Sequence, residues 1–224
     1  MFTRSLMVFL LSVLLLAGKG AVASELLNAL HRAAPQLEQR ALQEALWALR
    51  CAEREGASEG RRLAVIDYSR SSLERRLWVF DLARGRLLQR EFAAHGRQSG
   101  ELFAEHFSNQ PGSNQTSLGL FRGAESYKGR HGHSLRLDGL EPGLNDQARA
   151  RALVIHGAYY VAPTWAQKYG RMGRSLGCPA VQQEVIGVLV DQLKDGQCLF
   201  AWHPQISDER YRDCASVSVA RSVE

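Results

Sequence analysis

The chain has 224 residues, 45% hydrophobic and 23% charged, with a formal charge of +5. That is room for one ordinary domain plus an appendage, and the balance excludes a disordered or collagen-like chain. The basic excess is slight and holds only isolated pairs such as Arg61-Arg62 and Arg75-Arg76, so nucleic acid is excluded as the expected partner.

Residues 1–23 read as an export signal. Arg4 supplies a positive start, residues 6–17 are apolar except for Ser12, and Ala21-Val22-Ala23 sets small residues ahead of a cleavage site before Ser24. The apolar run is about a dozen residues, short of the roughly 20 that span a bilayer. The expectation is cleavage after Ala23 and export to the periplasm, with no stable membrane insertion once the leader is gone. Losing Arg4 and Lys19 leaves 26 basic and 23 acidic residues. Export places Cys51, Cys178, Cys198 and Cys214 in an oxidising compartment. None forms a Cys-x-x-Cys, which argues against a zinc knuckle or a thioredoxin-like motif.

Residues 24–59 read as a helical segment and linker. Leu26, Leu27 and Leu30 mark a short first piece. Pro35 interrupts it and suits the first turn of a second helix. Leu37, Ala41, Ala45 and Ala48 then recur at helical spacing, with Leu42, Leu46 and Leu49 beside them. From residue 60 the pattern turns to strands. Residues 63–67, 77–82 and 86–93 are β-rich runs, the last two joined by the turn Ala83-Arg84-Gly85. Residues 116–122 and 134–137 are further strands, and 152–155 is an apolar run suited to a buried one. Residues 181–193 read as helix, with Val185, Ile186, Leu189, Val190 and Leu193 on one side. Residues 197–202 return to strand, and 205–224 form a polar, loosely held tail. The sum predicts a mainly β sandwich or barrel with helical additions over residues 60–204.

Two segments carry chemistry. In Val154-Ile155-His156-Gly157 a buried strand delivers a His to its end, where Gly157 permits close approach of another group. In Gly173-Arg174-Ser175-Leu176-Gly177-Cys178-Pro179-Ala180 a Cys sits in a tight turn just ahead of the helix expected from 181. The thiolate is the nucleophile, and a helix start and an imidazole both favour it. Free N–H groups at such a turn suit an oxyanion. Cys178 with His156 is therefore a candidate acyl-transfer pair; the structural reading of both residues stays open on spacing alone.

These residues resemble a known family. His156-Gly157 followed by Ser175-Leu176-Gly177-Cys178 is similar to the His-Gly … Ser-x-Gly-Cys signature of the L,D-transpeptidase catalytic domain, the YkuD-like fold. The stretches 107–119, 128–135 and 173–180 resemble one branch of that family in the expected order. The resemblance spans about residues 60–204 and weakens in the N-terminal helices. It implies a YkuD-like β-sandwich or barrel and an exported cysteine acyltransferase acting on peptidoglycan stem peptides through a Cys178 thioester. It implies His156 as general base, Ser175, Gly177 and Gly157 in the loops around the oxyanion, and no metal or organic cofactor. Two departures stand out. Leu176 replaces a His found in many members, and Ala180 replaces a polar or basic residue. An L,D-carboxypeptidase or amidase-type hydrolase on the same fold, and a non-catalytic wall-binding module, remain as alternatives.

Around this pair, His133, Arg174 and Tyr159 are candidates for substrate contact. His131 and His133, two apart, would share a strand face, and with His156 would make three imidazoles; a pocket-lining role for His133 is preferred to a metal site. Tyr159, Tyr160 and Trp165 suit either core or a groove. If Cys178 stays free, a Cys51–Cys214 bridge would pin both ends of the chain onto the domain, and Cys198–Cys214 would tie down only the tail.

Overall fold

A computed structural model of the chain describes residues 25–58, 60–206 and 208–211. The expected leader, its cleavage site and Cys214 lie outside these residues.

Residues 25–33 form α1 and Gln39–Arg54 form α2. The break at Pro35 is as expected, but Pro35 is not in the first turn of α2. It sits in a connecting turn closed by Leu37 N–H to Ala34 O at 3.0 Å, and the helix starts only at Gln39. α2 buries Ala41, Leu42, Ala45, Leu46, Ala48, Leu49 and Ala52 against the sheet below. Each leucine so buried contributes about 1.5–3 kcal/mol. Glu44 lies on the same face. It is kept there by hydrogen bonds from Trp202 Nε1 at 2.8 Å and Arg40 Nε at 2.6 Å, as a buried carboxylate requires.

The strands are β1 (Arg62–Asp67), β2 (Arg75–Asp81), β3 (Arg86–Phe92), β4 (Gly119–Gly129), β5 (Gly132–Gly139), β6 (Val154–Gly157), β7 (Ala180–Val181) and β8 (Cys198–Trp202). Helices α3 (Pro163–Tyr169) and α4 (Ile186–Leu193) complete the set. The sheet runs β3-β2-β1-β8-β4-β5-β6-β7. β1 pairs with β8 and β6 with β7 in parallel, and the other pairs are antiparallel. Its two edges meet: Ala94, just past β3, donates its N–H to Ala180 O in β7 at 2.8 Å. The sheet thus nearly closes into a barrel, the mainly β architecture with helical additions that the patterning predicts.

Three local readings change. Residues 180–181 are strand, because Val181 is committed to parallel pairing with Gly157, so the late helix begins at Ile186 rather than 181. α3 was not anticipated. The start of the tail is packed, with Ile206 and Tyr211 buried and the Tyr211 hydroxyl donating to Glu141 Oε2 at 2.8 Å. Cys51 is disulfide-bonded, while Cys178 and Cys198 are free thiols. That removes the Cys198–Cys214 pairing. The Cys51–Cys214 pairing falls on a residue outside the described ones.

Candidate active site

Cys178 sits where the barrel closes. The loop before it is stitched to the strand that leaves β3: Ser175 N–H donates to His95 O at 3.0 Å and Arg97 N–H to Ser175 O at 2.8 Å. The two chains approach so closely that a Cβ on Gly96 would lie 3.0 Å from Gly177 Cα and 2.4 Å from Asn114 O. Gly177 itself has φ +123°, and its missing Cβ would stand 2.8 Å from Gln115 O. Both positions therefore need glycine. Ser175 locks the turn from inside. Its hydroxyl donates to Cys178 O at 2.6 Å and accepts the Gly177 N–H at 3.0 Å.

This bond revises which amides can face an oxyanion. The Gly177 N–H is taken by Ser175. The N–H groups of Leu176 and Cys178 have no acceptor among the described residues, so they are the donors left. Gly157 contributes differently again: its carbonyl accepts from His156 Nδ1 at 3.0 Å. A Cβ there would lie 3.1 Å from both Gln183 Cα and Ile186 Cγ2, so the glycine lets the start of α4 pack close.

His156 lies in β6, paired with Ser134 on one side and Ala180 on the other. The Val154 N–H lies near enough to the Cys178 thiol to favour its charged form. Cys178 therefore stands against Val154, two residues before His156, and His156 stands against Ala180, two residues after Cys178. The turn that carries Cys178 thus runs into β7 alongside the strand that carries His156. With Nδ1–H held by the Gly157 carbonyl, Nε2 is the nitrogen left to take a proton.

Burial sets the charge state of both. It pushes the Cys178 thiol up, opposed by the Val154 N–H and by the Arg151 guanidinium. It pushes the His156 imidazole down, and the neighbouring His131 lowers it further against the pull of the Gly157 carbonyl. The expected helix start is not what assists the thiol, since α4 begins eight residues beyond Cys178. Arg151 takes that place. It is a residue that sequence reading missed.

The remaining candidates are distributed around this pair. His131, at the tip of the β4–β5 hairpin, brings its ring within 4.6 Å of the His156 ring. Gly132 between it and His133 has φ +75°, so the two histidines do not share a strand face. His133 is in β5, near Asp191, whose carboxyl is lowered chiefly by Lys194 and to a lesser extent by His133. Arg174 spends its Nη1 on Glu101 Oε1 at 2.6 Å, Gly100 O at 2.9 Å and Arg97 O at 3.1 Å, and with them lines a cavity of about 450 Å³. Tyr159 is 68% exposed, edge-on to Tyr160 at 5.5 Å and Trp165 at 5.7 Å. Tyr160 is half-buried, and the Cys178 charge adds to the burial that pushes its phenol up to about 12. Tyr160 packs against the small buried cluster of Ala94, Ala158, Val161, Met172 and Ala180, and Tyr159 and Trp165 extend from it toward the surface. Among the described residues no three His, Cys, Asp or Glu side chains come together to hold a metal ion.

Comparison with known proteins places the chain in a family. The L,D-transpeptidase catalytic domain family (YkuD_2) matches residues 33–202. No curated protein matches the chain. Solved structures similar to it include an L,D-transpeptidase from Mycobacterium smegmatis, with 15% identity over 64% of this chain and 59% of that one, and a TM-score of 0.39. L,D-transpeptidase 3 from Mycobacterium tuberculosis has 13% identity over 64% and 61%, with a TM-score of 0.41. Bd1075 from Bdellovibrio bacteriovorus has 17% identity over 70% and 55%, with a TM-score of 0.40. The chain thus spans less than two thirds of the length of each of these three.

Proposed function

This chain belongs to the L,D-transpeptidase catalytic domain family, and on that premise we propose that it is an exported cysteine acyltransferase acting on peptidoglycan stem peptides through a Cys178 thioester. One observation carries the reading. Cys178 is a free thiol beside the strand that holds His156, and that imidazole has its Nδ1 tied to Gly157 O and no hydrogen-bond partner for Nε2 among the described residues.

Because burial favours the neutral form of each, the pair works as thiol and base rather than as a preformed ion pair. Sγ attacks the carbonyl carbon of the amide between an L-residue and the D-residue that follows it, as the thiol proton passes to His156 Nε2. The oxyanion is received by the N–H groups of Leu176 and Cys178. The C–N bond breaks, His156 returns the proton to the departing amine, and the acyl group stays on sulfur. A side-chain amine of an acceptor stem then attacks the thioester and gives its proton to His156. The C–S bond breaks, and the proton returns to sulfur.

The test is acylation by a carbapenem, whose ring carbonyl meets the thiol as a donor amide would. Intact-mass analysis is expected to place one adduct on Cys178 and none on Cys178→Ser. Turnover by Cys178→Ser at near the parent rate would sink the thiol mechanism. A muropeptide digest then identifies the acceptor: new cross-links mean an amine, and trimmed stems mean water and a hydrolase. Export is tested by sequencing the mature N-terminus, expected at Ser24; an intact leader in the membrane fraction would mean a tethered enzyme.

A further inference from the structure

Arg151 belongs to none of the motifs picked out in the sequence. It lies in the turn before β6, half-buried, with its guanidinium folded inward. Nη1 donates to Ser108 O at 2.6 Å and to the Ser117 hydroxyl. Nη2 donates to Gln115 O at 2.7 Å and to Ser113 Oγ at 3.2 Å. All four acceptors are neutral, so these bonds orient the charge without cancelling it. Nη2 is also 3.1 Å from the point where a Cβ on Gly177 would stand, one residue from the nucleophile. The other groups that feel the thiol's charge, Tyr68 and Tyr160, are phenols kept neutral by burial, and burial also favours the neutral form of His156 in the adjoining strand. Arg151 is the charged one.

We propose that Arg151 is a positioning residue for the nucleophile: its guanidinium stabilises Cys178 as a thiolate while His156 holds the proton, and its fork fastens residues 108–117 against the loop that carries Cys178. The proposal rests on Cys178 being the nucleophile. It explains how a thiol with no helix start behind it, and with Leu176 where a second imidazole might be looked for, obtains a favourable field. The field and the latch come from one side chain, so the thiol is activated only when the 108–117 segment is in place.

Alkylation of Cys178 by iodoacetamide, followed across pH by intact mass, reads the thiol without any substrate. Arg151→Gln is expected to move the alkylation midpoint upward, slowing the reaction at pH 7 by roughly tenfold for each pH unit the midpoint moves. Arg151→Lys keeps the charge without the fork and is expected to hold the midpoint near the parent's. An unchanged midpoint in Arg151→Gln overturns the proposal, because a purely structural latch would leave the thiol's titration alone. Should that variant not fold, the parent answers by itself. A cation at the thiol makes anionic iodoacetate react faster, relative to neutral iodoacetamide, than it does with a small-molecule thiol. An equal ratio overturns the proposal. If the carbapenem fails on a parent whose midpoint still depends on residue 151, the transferase reading falls and this inference stands. The converse result removes this inference alone.

Discussion

The neutral charge of His156 is imposed by its surroundings, and it has a kinetic signature. Burial is the larger cause and His131 the smaller. A base must be unprotonated to act, so acylation is expected to persist below the ordinary imidazole range near pH 6.5 and to fall only at lower pH. His131→Asn removes the repelling ring and is expected to raise that acid limb, though not to the ordinary value, since burial remains. Carbapenem acylation rates from pH 4 to 8 check both, and an acid limb at or above 6.5 in the parent would reject the assignment. His156→Ala should slow acylation by about 10²–10⁴-fold. His156 and Cys178 stand out in the sequence because each sits in a local motif of strand end or Gly-rich turn. His131 does not, because the alternation rule pairs residues 131 and 133 and the positive φ of Gly132 breaks that alternation. Arg151 left no local mark either. Its four partners lie 34 to 43 residues away in sequence, and a lone arginine in a polar turn reads as solvated.

Among the elements, β4 and α4 meet with no room to spare. A Cβ on Gly123 would lie 1.9 Å from Leu193 O, while the Gly123 N–H donates to Gln197 O at 2.7 Å and its carbonyl accepts the Gly196 N–H at 3.0 Å. Gly123→Ala must push the end of α4 off the sheet, at a cost of about 1–3 kcal/mol, seen as a lower urea midpoint. Elsewhere in the same core, Leu42→Ala opens a cavity under α2 and is expected to cost about 2–5 kcal/mol. Urea denaturation of each variant is the check, and a parent-like midpoint would mean the contact relaxes freely. α2 was readable because its apolar residues repeat at helical spacing. α3 was not, because it buries none of its residues and so carries no stripe. The signal that could have found it is its punctuation: Pro163 in the first turn and Gly170 with φ +70° at the end. The late helix was placed too early because Val181 and Val185 fit its stripe, whereas pairing with Gly157 holds Val181 in a strand.

At the scale of the whole molecule, the closure of the barrel is backed by a buried pair. Arg76 is fully buried, donating to Ala93 O at 2.9 Å, Arg70 O at 2.7 Å and His95 Nδ1 at 2.7 Å. Burial first, and then the Arg76 charge, push His95 down to about 3. The unfolded chain takes up this proton near pH 6.5 and the folded protein resists it. The neutral His95 therefore supports the fold fully above pH 6.5, and that support is lost as pH falls toward 3, at about 1.4 kcal/mol per pH unit. His95→Gln keeps an acceptor and a donor without titrating, so the gap between its stability and the parent's should change across that window. Curves that run parallel from pH 7 to 4 would show that His95 is not the group responsible. The fold class was legible from strand patterning, but the closure was not, since Ala94 and Ala180 are distant in sequence and neither is distinctive. The closure also divides the molecule into parts with different freedom to vary. The loop that carries Cys178 is held by main-chain bonds between Ser175 and residues 95–97, with the Ser175 hydroxyl closing the turn. The hairpin tip around His131 is exposed, and α3 is a short helix with none of its residues buried. Those two appendages can therefore be lengthened, trimmed or recomposed while the main-chain seam that holds the Cys178 loop is inherited intact.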